Sequence, residues 1–318
     1  MILPPDSAHP AIELRRLHRY FGTTKAVHEV SFEVPRGDVF GFIGPNGAGK
    51  TTSMRILATL DLPTYGDAYI DGFSAVNDPD RVRRRLGFMP DSFGTYSNVN
   101  CREYLDFFAR AYGLAGYQRH QAVRRTMGFA GLQELAEKPI GGLSKGMKQR
   151  LCLGRALIHD PTVLVLDEPA AGLDPRARIE LREMIRQLAA DGKTILISSH
   201  ILTELAEMCD RVGIIEQGRL LATGTVEEIH KGQATHSEVR VRVLGGGEAL
   251  KDWLSRRSDV QDPSLDGELV RFRYGGNRQN QAELLKQMVL AGFQVAEFTA
   301  QRTSLEDVFL QVTRGAVQ

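Results

Sequence analysis

The chain has 318 residues, 42% of them hydrophobic and 25% charged, and its 40 basic and 39 acidic side chains leave a formal net charge of only +1. That composition excludes disordered and fibrous classes. The charge balance excludes a global field that would draw the chain onto nucleic acid or an anionic membrane, and the length suits one large and one small domain of about 100 to 200 residues. Three scattered cysteines, Cys101, Cys152 and Cys209, make neither a disulfide framework nor a metal knuckle and fit a reducing compartment.

In chain order, residues 1–11 carry prolines and polar groups without an apolar centre, which predicts a disordered tail and not a secretory signal. An α/β domain is predicted over 12–230. Short Val/Ile/Leu-rich runs at 39–43, 163–166 and 194–197 have the continuous apolar character of buried parallel strands, with helices between them at 102–112 and 177–190. Runs at 26–34 and 68–71 alternate instead and predict an antiparallel sheet beside the parallel core. Between them and the run at 163–166, a stretch from Leu86 to Ala136 has helical texture. It is set as a helical insertion over about 92–142, with an aromatic stripe (Tyr104, Phe107, Phe108, Tyr112) expected to pack as core. The arginines at 81–85 are expected to form a solvated helix face.

Past Gly224 a polar stretch at 230–236 leads into alternating strands at 238–244 and 268–274, a turn at 245–247, a helix at 279–290, a strand at 294–298 and a helix at 305–312. These predict a small accessory α+β domain over 237–315. No run in the chain approaches the roughly 20 apolar residues a membrane-crossing helix needs.

Chemistry concentrates in the larger domain. Gly44-Pro45-Asn46-Gly47-Ala48-Gly49-Lys50-Thr51 follows the strand at 39–43, and Thr51 and Thr52 open a helix-compatible run. Small residues let successive backbone N–H groups face phosphate at a helix's positive end, Lys50 can reach the β- and γ-phosphates, and Thr51 can hold Mg2+. The run at 163–166 ends in Asp167-Glu168, which puts two carboxylates at the carboxyl edge of the sheet where α/β folds bind ligands. Asp167 is suited to orient Mg2+, and Glu168 to polarise a water attacking the γ-phosphate.

With these, Leu143-Ser144-Lys145-Gly146-Met147 resembles the signature loop of ATP-binding-cassette (ABC) proteins, Ala171-Gly172-Leu173-Asp174 their D-loop, and Ser198-Ser199-His200 their switch histidine. Five motifs in the family's order make the resemblance specific. Lys145 and Met147 depart from the usual glycine and glutamine, while Ser144 and Gly146 are retained. At the Q-loop position stands Met89-Pro90-Asp91, where Asp91 can still hold a metal-bound water. The family stacks an aromatic ring on adenine just before a glycine; Tyr20 and Phe21 both precede Gly22, and position favours Phe21.

The resemblance implies a P-loop NTPase of ABC type, with a parallel sheet core, an antiparallel β subdomain and a helical subdomain. It further implies ATP and Mg2+ as cofactors, Glu168 and His200 as catalytic residues, and Ser144, Gly146 and Asp174 completing the site of a second copy or related subunit in a head-to-tail dimer. Residues 298–313 resemble the extension found on ATP-binding subunits of bacterial exporters. Expected with it are a separate multi-spanning permease, a place on the cytoplasmic face of the membrane, and export of a drug, lipid, polysaccharide or ion. An importer motor, or a soluble ABC ATPase acting on ribosomes or DNA, is the alternative; no nucleic-acid partner is expected.

Overall fold

The computed structural model describes residues 9–92, 94, 98–201, 205, 208–226, 228–229 and 237–301. The chain divides into two compact units, Met1–Val226 and Glu227–Gln318.

The first unit holds two sheets. β1 (Ile12–Phe21), β2 (Thr24–Val34), β4 (Tyr65–Ile70) and β5 (Phe73–Ser74) form an antiparallel sheet in the order β2-β1-β4-β5. Ile12, Leu14 and Leu17 lie opposite Val34, Phe32 and Val30 and all are buried, so the alternation in β2 is the inward face of a sheet solvated on its other side. Ala11, placed in the tail by the sequence reading, is instead buried, and its N–H donates to the Val34 carbonyl. The second sheet runs β10-β9-β3-β8-β7-β6, from Arg219–Thr225, Arg211–Glu216, Val39–Ile43, Thr194–Ser199, Val163–Leu166 and Leu86–Met89 respectively. Its strands are parallel except for β10. β3, β7 and β8 are buried along their whole length, which is why their sequences show no polar alternation.

Around this core lie α1 (Lys50–Leu57), α2 (Pro79–Arg85), α3 (Cys101–Ala111), α4 (Gly116–Phe129), α5 (Lys145–Leu157) and α6 (Pro175–Ala190). Asn100 and Glu103 close a reciprocal capping box at the start of α3. α3, α4 and α5 share a core of their own around Tyr104, Leu105, Met127 and Leu151. The helical insertion does not begin at Leu86: residues 86–89 are β6, the edge strand of the core sheet. The aromatic stripe also divides, since Tyr104 is buried, Phe107 is exposed, and Tyr112 lies flat on His159 with ring centroids 3.7 Å apart.

β6 is a guarded edge. The Leu86 carbonyl accepts from His159 Nε2 at 3.2 Å and the Phe88 carbonyl from Arg155 Nη2 at 3.2 Å, so two side chains at the end of α5 satisfy groups that an edge strand would leave open. Between them, a Cβ at Gly87 would collide with the Ala156 carbonyl; only glycine lets α5 come this close.

The second unit is a four-stranded antiparallel sheet of order β12-β13-β11-β14. Its chain order is β11 (Ser237–Val243), α7 (Gly247–Ser255), β12 (Val260–Asp266), β13 (Leu269–Tyr274), α8 (Arg278–Leu290) and β14 (Val295–Gln301). That is the double split βαβ of ferredoxin-like folds. Val239, Val241 and Val243 pack with Phe272, Leu250 and Leu284 in its core, while Arg240, Arg242, Arg271 and Arg273 on the opposite face are paired with carboxylates. The helix expected at 305–312 lies outside the described residues, as do residues 1–8 and 230–236. No helix among the described residues is long and apolar enough to cross a membrane. All three cysteines are free and buried.

Candidate nucleotide site

The turn from β3 into α1 is built to approach a ligand with bare backbone. Gly47 and Gly49 adopt φ of 80° and 106°, in the left-handed region that favours glycine, and a Cβ at Gly49 would strike the Ala26 carbonyl. Gly44 is pinned in the same way against the Ile215 carbonyl. No side chain caps the start of α1 and no acid lies in its first turn, so its free N–H groups offer a positive helix end to an anion. Lys50, 5% exposed, curls back over the loop and donates from Nζ to the carbonyls of Gly44 at 2.7 Å and Pro45 at 3.2 Å.

β7 ends against this loop. Asp167 is 1% exposed and accepts at Oδ1 from the Ser198 hydroxyl at 2.6 Å, and its N–H donates to the Met89 carbonyl at 2.8 Å. The same Ser198 oxygen accepts from the Glu168 N–H at 2.8 Å, holding Glu168 at a φ of 47°. Glu168 Oε2 accepts from His200 Nδ1 at 2.8 Å, and its Oε1 is 3.4 Å from Lys50 Nζ. His200, expected from the resemblance to be catalytic, holds Glu168 through its ring. Sequence reasoning took Ser198 only as a neighbour of His200 and missed its bridging role.

The donor set suits a hard cation. Asp167 Oδ2 is buried without a hydrogen-bond partner, and the Thr51 hydroxyl acts on the same carboxylate. Burial raises the Asp167 pKa above the ordinary carboxyl value; the Ser198 and Thr51 hydroxyls oppose the rise, and the Asp91 and Glu168 charges add to it. A cation would relieve this accumulation of negative charge. Asp91 is exposed, and its Oδ1 accepts from the Ser92 N–H at 2.7 Å.

Ser144, Gly146 and Asp174 gather in a second group. Ser144 caps α5 by accepting from the Met147 N–H, and Asp174 caps α6 by accepting from the Ala177 N–H at 2.9 Å. A Cβ at Gly146 would come within 2.9 Å of Ala177 Cβ, and the Lys145 ammonium packs on Gly172. Thr52 lies on α1. Of the two aromatic candidates, Phe21 is 49% exposed with the Arg19 guanidinium 4.3 Å over its ring, while the Tyr20 hydroxyl is held between His18 and His28.

A glycine cradle with a buried lysine, facing two carboxylates at the end of the adjoining parallel sheet, defines a nucleoside-triphosphate hydrolase of the P-loop class. The ABC transporter family profile matches residues 27–171, and the C-terminal domain profile of DrrA1-3-like ATP-binding proteins matches 224–313. Over 308 residues the chain is 35% identical to the Nod factor export ATP-binding protein I of Burkholderia lata, covering 96% of this chain and 98% of that one. It is also 35% identical to the bacitracin transport ATP-binding protein BcrA of Bacillus licheniformis over 307 residues, covering 96% and 97%. Among solved structures it resembles an ABC transporter ATP-binding subunit at 31% identity and TM-score 0.64, over 70% of this chain and 92% of that one. A dimeric bacterial ABC transporter cassette matches at 25% identity and TM-score 0.61, over 68% and 98%. The chain belongs to the ABC transporter ATP-binding proteins. It binds and hydrolyses ATP.

Proposed function

We propose that this ATPase works at the cytoplasmic face of the membrane as one half of a head-to-tail dimer, driving export through a separate multi-spanning permease. The observation that carries the catalytic part is the junction of Lys50, Asp167, Glu168 and His200 at the carboxyl ends of β3, β7 and β8. The two relatives named above are an export and a transport protein, which favours this reading over a ribosomal or DNA-directed ATPase.

In it the free backbone N–H groups of the glycine loop and of the start of α1 bind the phosphates of ATP, Lys50 leaves Glu168 for the β- and γ-oxygens, and Phe21 covers the adenine. Glu168 then accepts the proton of the attacking water, oriented by His200, whose hydrogen bond fixes the carboxylate. Thr51, Asp167 and Asp91 would hold Mg2+, which when bound supplies positive charge beside the phosphate oxygens. Ser144, Gly146 and Asp174 close the second subunit's site. Lys145 and Met147 leave the two small signature residues in place, in keeping with that contact.

The test joins purification of the tagged chain from detergent-solubilised membranes with ATPase assays of the wild type and Glu168→Gln. The expected result is a co-purifying multi-spanning protein and a turnover reduced roughly 10²- to 10⁴-fold by the substitution. Ribosomal or DNA-associated proteins in place of a membrane protein would overturn the transport assignment and leave the ATPase standing.

A further inference from the structure

The tip of the β1–β2 hairpin stands beside the phosphate cradle. The Ala26 carbonyl of β2 abuts Gly49, and Phe21 pairs with Thr24, two residues nearer the turn. The Phe21 ring is half exposed, and the guanidinium of Arg19, two residues earlier on β1, lies 4.3 Å from its centroid. Arg19 is itself fixed from a third direction. Asp61, in the loop behind α1, accepts from Arg19 Nε at 3.3 Å on one carboxylate oxygen and from Nη2 at 2.9 Å on the other, and the two side chains are only 25% and 19% exposed. The backbone repeats the tie between loop and hairpin. The Tyr20 N–H donates to the Thr64 hydroxyl at 2.9 Å, and the Thr64 N–H to the His18 carbonyl at 2.7 Å.

An aromatic ring half in solvent samples several rotamers, and a ligand that stacks on it must freeze them as it binds. A guanidinium stacked on one face removes that freedom beforehand and leaves the other face as a flat platform. The two-pronged pair with Asp61 holds the planar fork in register with the ring. It also neutralises the arginine's charge, which suits a support for the ring better than a further phosphate clamp. Since the first turn of α1 offers its N–H groups to phosphate and Asp61 follows the same helix, the chain from Asp61 through Arg19 to Phe21 sets the spacing between cradle and ring.

We propose that Arg19 is the positioning residue of the base platform: stacked on one face of Phe21 and anchored by Asp61, it presents the opposite face of the ring to the adenine of ATP. This rests on the reading of Phe21 as the partner of adenine. Its consequence is a division of labour, with Arg19 serving recognition of the base and not of the phosphates. Loss of the guanidinium frees the ring and weakens the binding of ATP, while a phosphate chain without a base binds as before. The contact is made equally in the ground state and in the transition state, so its loss raises KM and spares kcat. Stacking tolerates any base, so ATP and GTP lose affinity by the same factor.

The test compares Arg19→Met, Phe21→Ala and the double variant in the full chain, by ATPase kinetics and by calorimetric titration with ATP and with inorganic tripolyphosphate. Arg19→Met should raise KM and the Kd for ATP by about 3-fold, the range of an exposed cation–ring contact, with kcat and the tripolyphosphate affinity within about twofold of the wild type. Phe21→Ala should weaken ATP by about 10-fold or more. Adding Arg19→Met to it should change nothing further, because no ring is left to position. Arg19→Lys, a cation without the fork, should fall between wild type and Arg19→Met. ATP affinity unchanged in Arg19→Met but weakened in Phe21→Ala overturns the role of Arg19 and leaves Phe21 as the base partner. Affinity unchanged in Phe21→Ala removes the platform and the proposal together. Tighter ATP binding in Arg19→Met would show that the guanidinium occupies the face the base needs, and an equal loss for ATP and tripolyphosphate would make Arg19 a phosphate contact; either overturns the proposal. Should Arg19→Met fail to fold, Asp61→Ala decides, and an unchanged ATP affinity there overturns it equally.

Discussion

Ser198 ties two functions to one hydroxyl: it donates to Asp167 Oδ1 and accepts from the Glu168 N–H. Both partners lie in or beside buried backbone, so Ser198→Ala leaves a carboxylate oxygen and an amide without their partners. The expected cost is about 1 to 3 kcal/mol of stability in urea unfolding. ATP turnover should fall with it by roughly 10-fold or more, because the turn that aims Glu168 loses its anchor. A variant with unchanged turnover would show that the left-handed backbone at Glu168 is held by the surrounding chain alone. This bridge was illegible in the sequence for a definite reason. The lysine, the acid pair and the histidine are recognisable by residue type at strand ends, but the pairing of Ser198 with Asp167 depends on the parallel register of β7 and β8, in which Leu166 lies opposite Ile197. The His200–Glu168 pair likewise depends on a turn geometry that residue order does not carry.

The strands buried on both faces were legible because such burial leaves short continuous Val/Ile/Leu runs without polar alternation, and α3 and α6 because their periodicity runs over three turns or more. β6 was not: four residues carry no period, and what makes Leu86–Met89 a strand is pairing with β7 on one side and capping by Arg155 and His159 on the other. β1 was obscured by its charged residues Arg15, Arg16 and Arg19 and by its bulges. The β6 cap makes a pH prediction. Burial holds His159 down to a pKa of about 4, below the about 6.5 of an unfolded chain. Below about pH 6.5 the unfolded chain therefore takes up a proton that the folded chain refuses. The contribution is complete above that value and is lost as pH falls toward 4, amounting to at most about 3 kcal/mol. In thermal melts between pH 7 and pH 4, His159→Phe should begin less stable by about 1 kcal/mol, for the lost bond to Leu86, and then decline less steeply. Parallel curves for the two proteins would assign the acid sensitivity elsewhere.

At the scale of the whole molecule, Ser144 and Asp174 cap their own helices and Gly146 packs on Ala177, and this fits a site completed by a second chain. Glu168→Gln with saturating ATP should sediment as a dimer and the nucleotide-free wild type as a monomer; a variant that stays monomeric under ATP would remove the head-to-tail assembly from the mechanism. The ferredoxin-like unit was read as α+β from its alternating strands, yet its strand order, set by contacts distant in sequence, could not be. The cysteines bear on how such motions can be followed. Cys101, Cys152 and Cys209 are all buried, and burial pushes each thiol pKa up, that of Cys152 to about 11. Since the thiolate is the reacting species, maleimide reagents should leave the native chain unlabelled at neutral pH. A cysteine introduced at an exposed position such as Tyr117 then becomes the sole reactive handle, and the natural protein serves as its own blank for fluorescence and cross-linking of the working assembly.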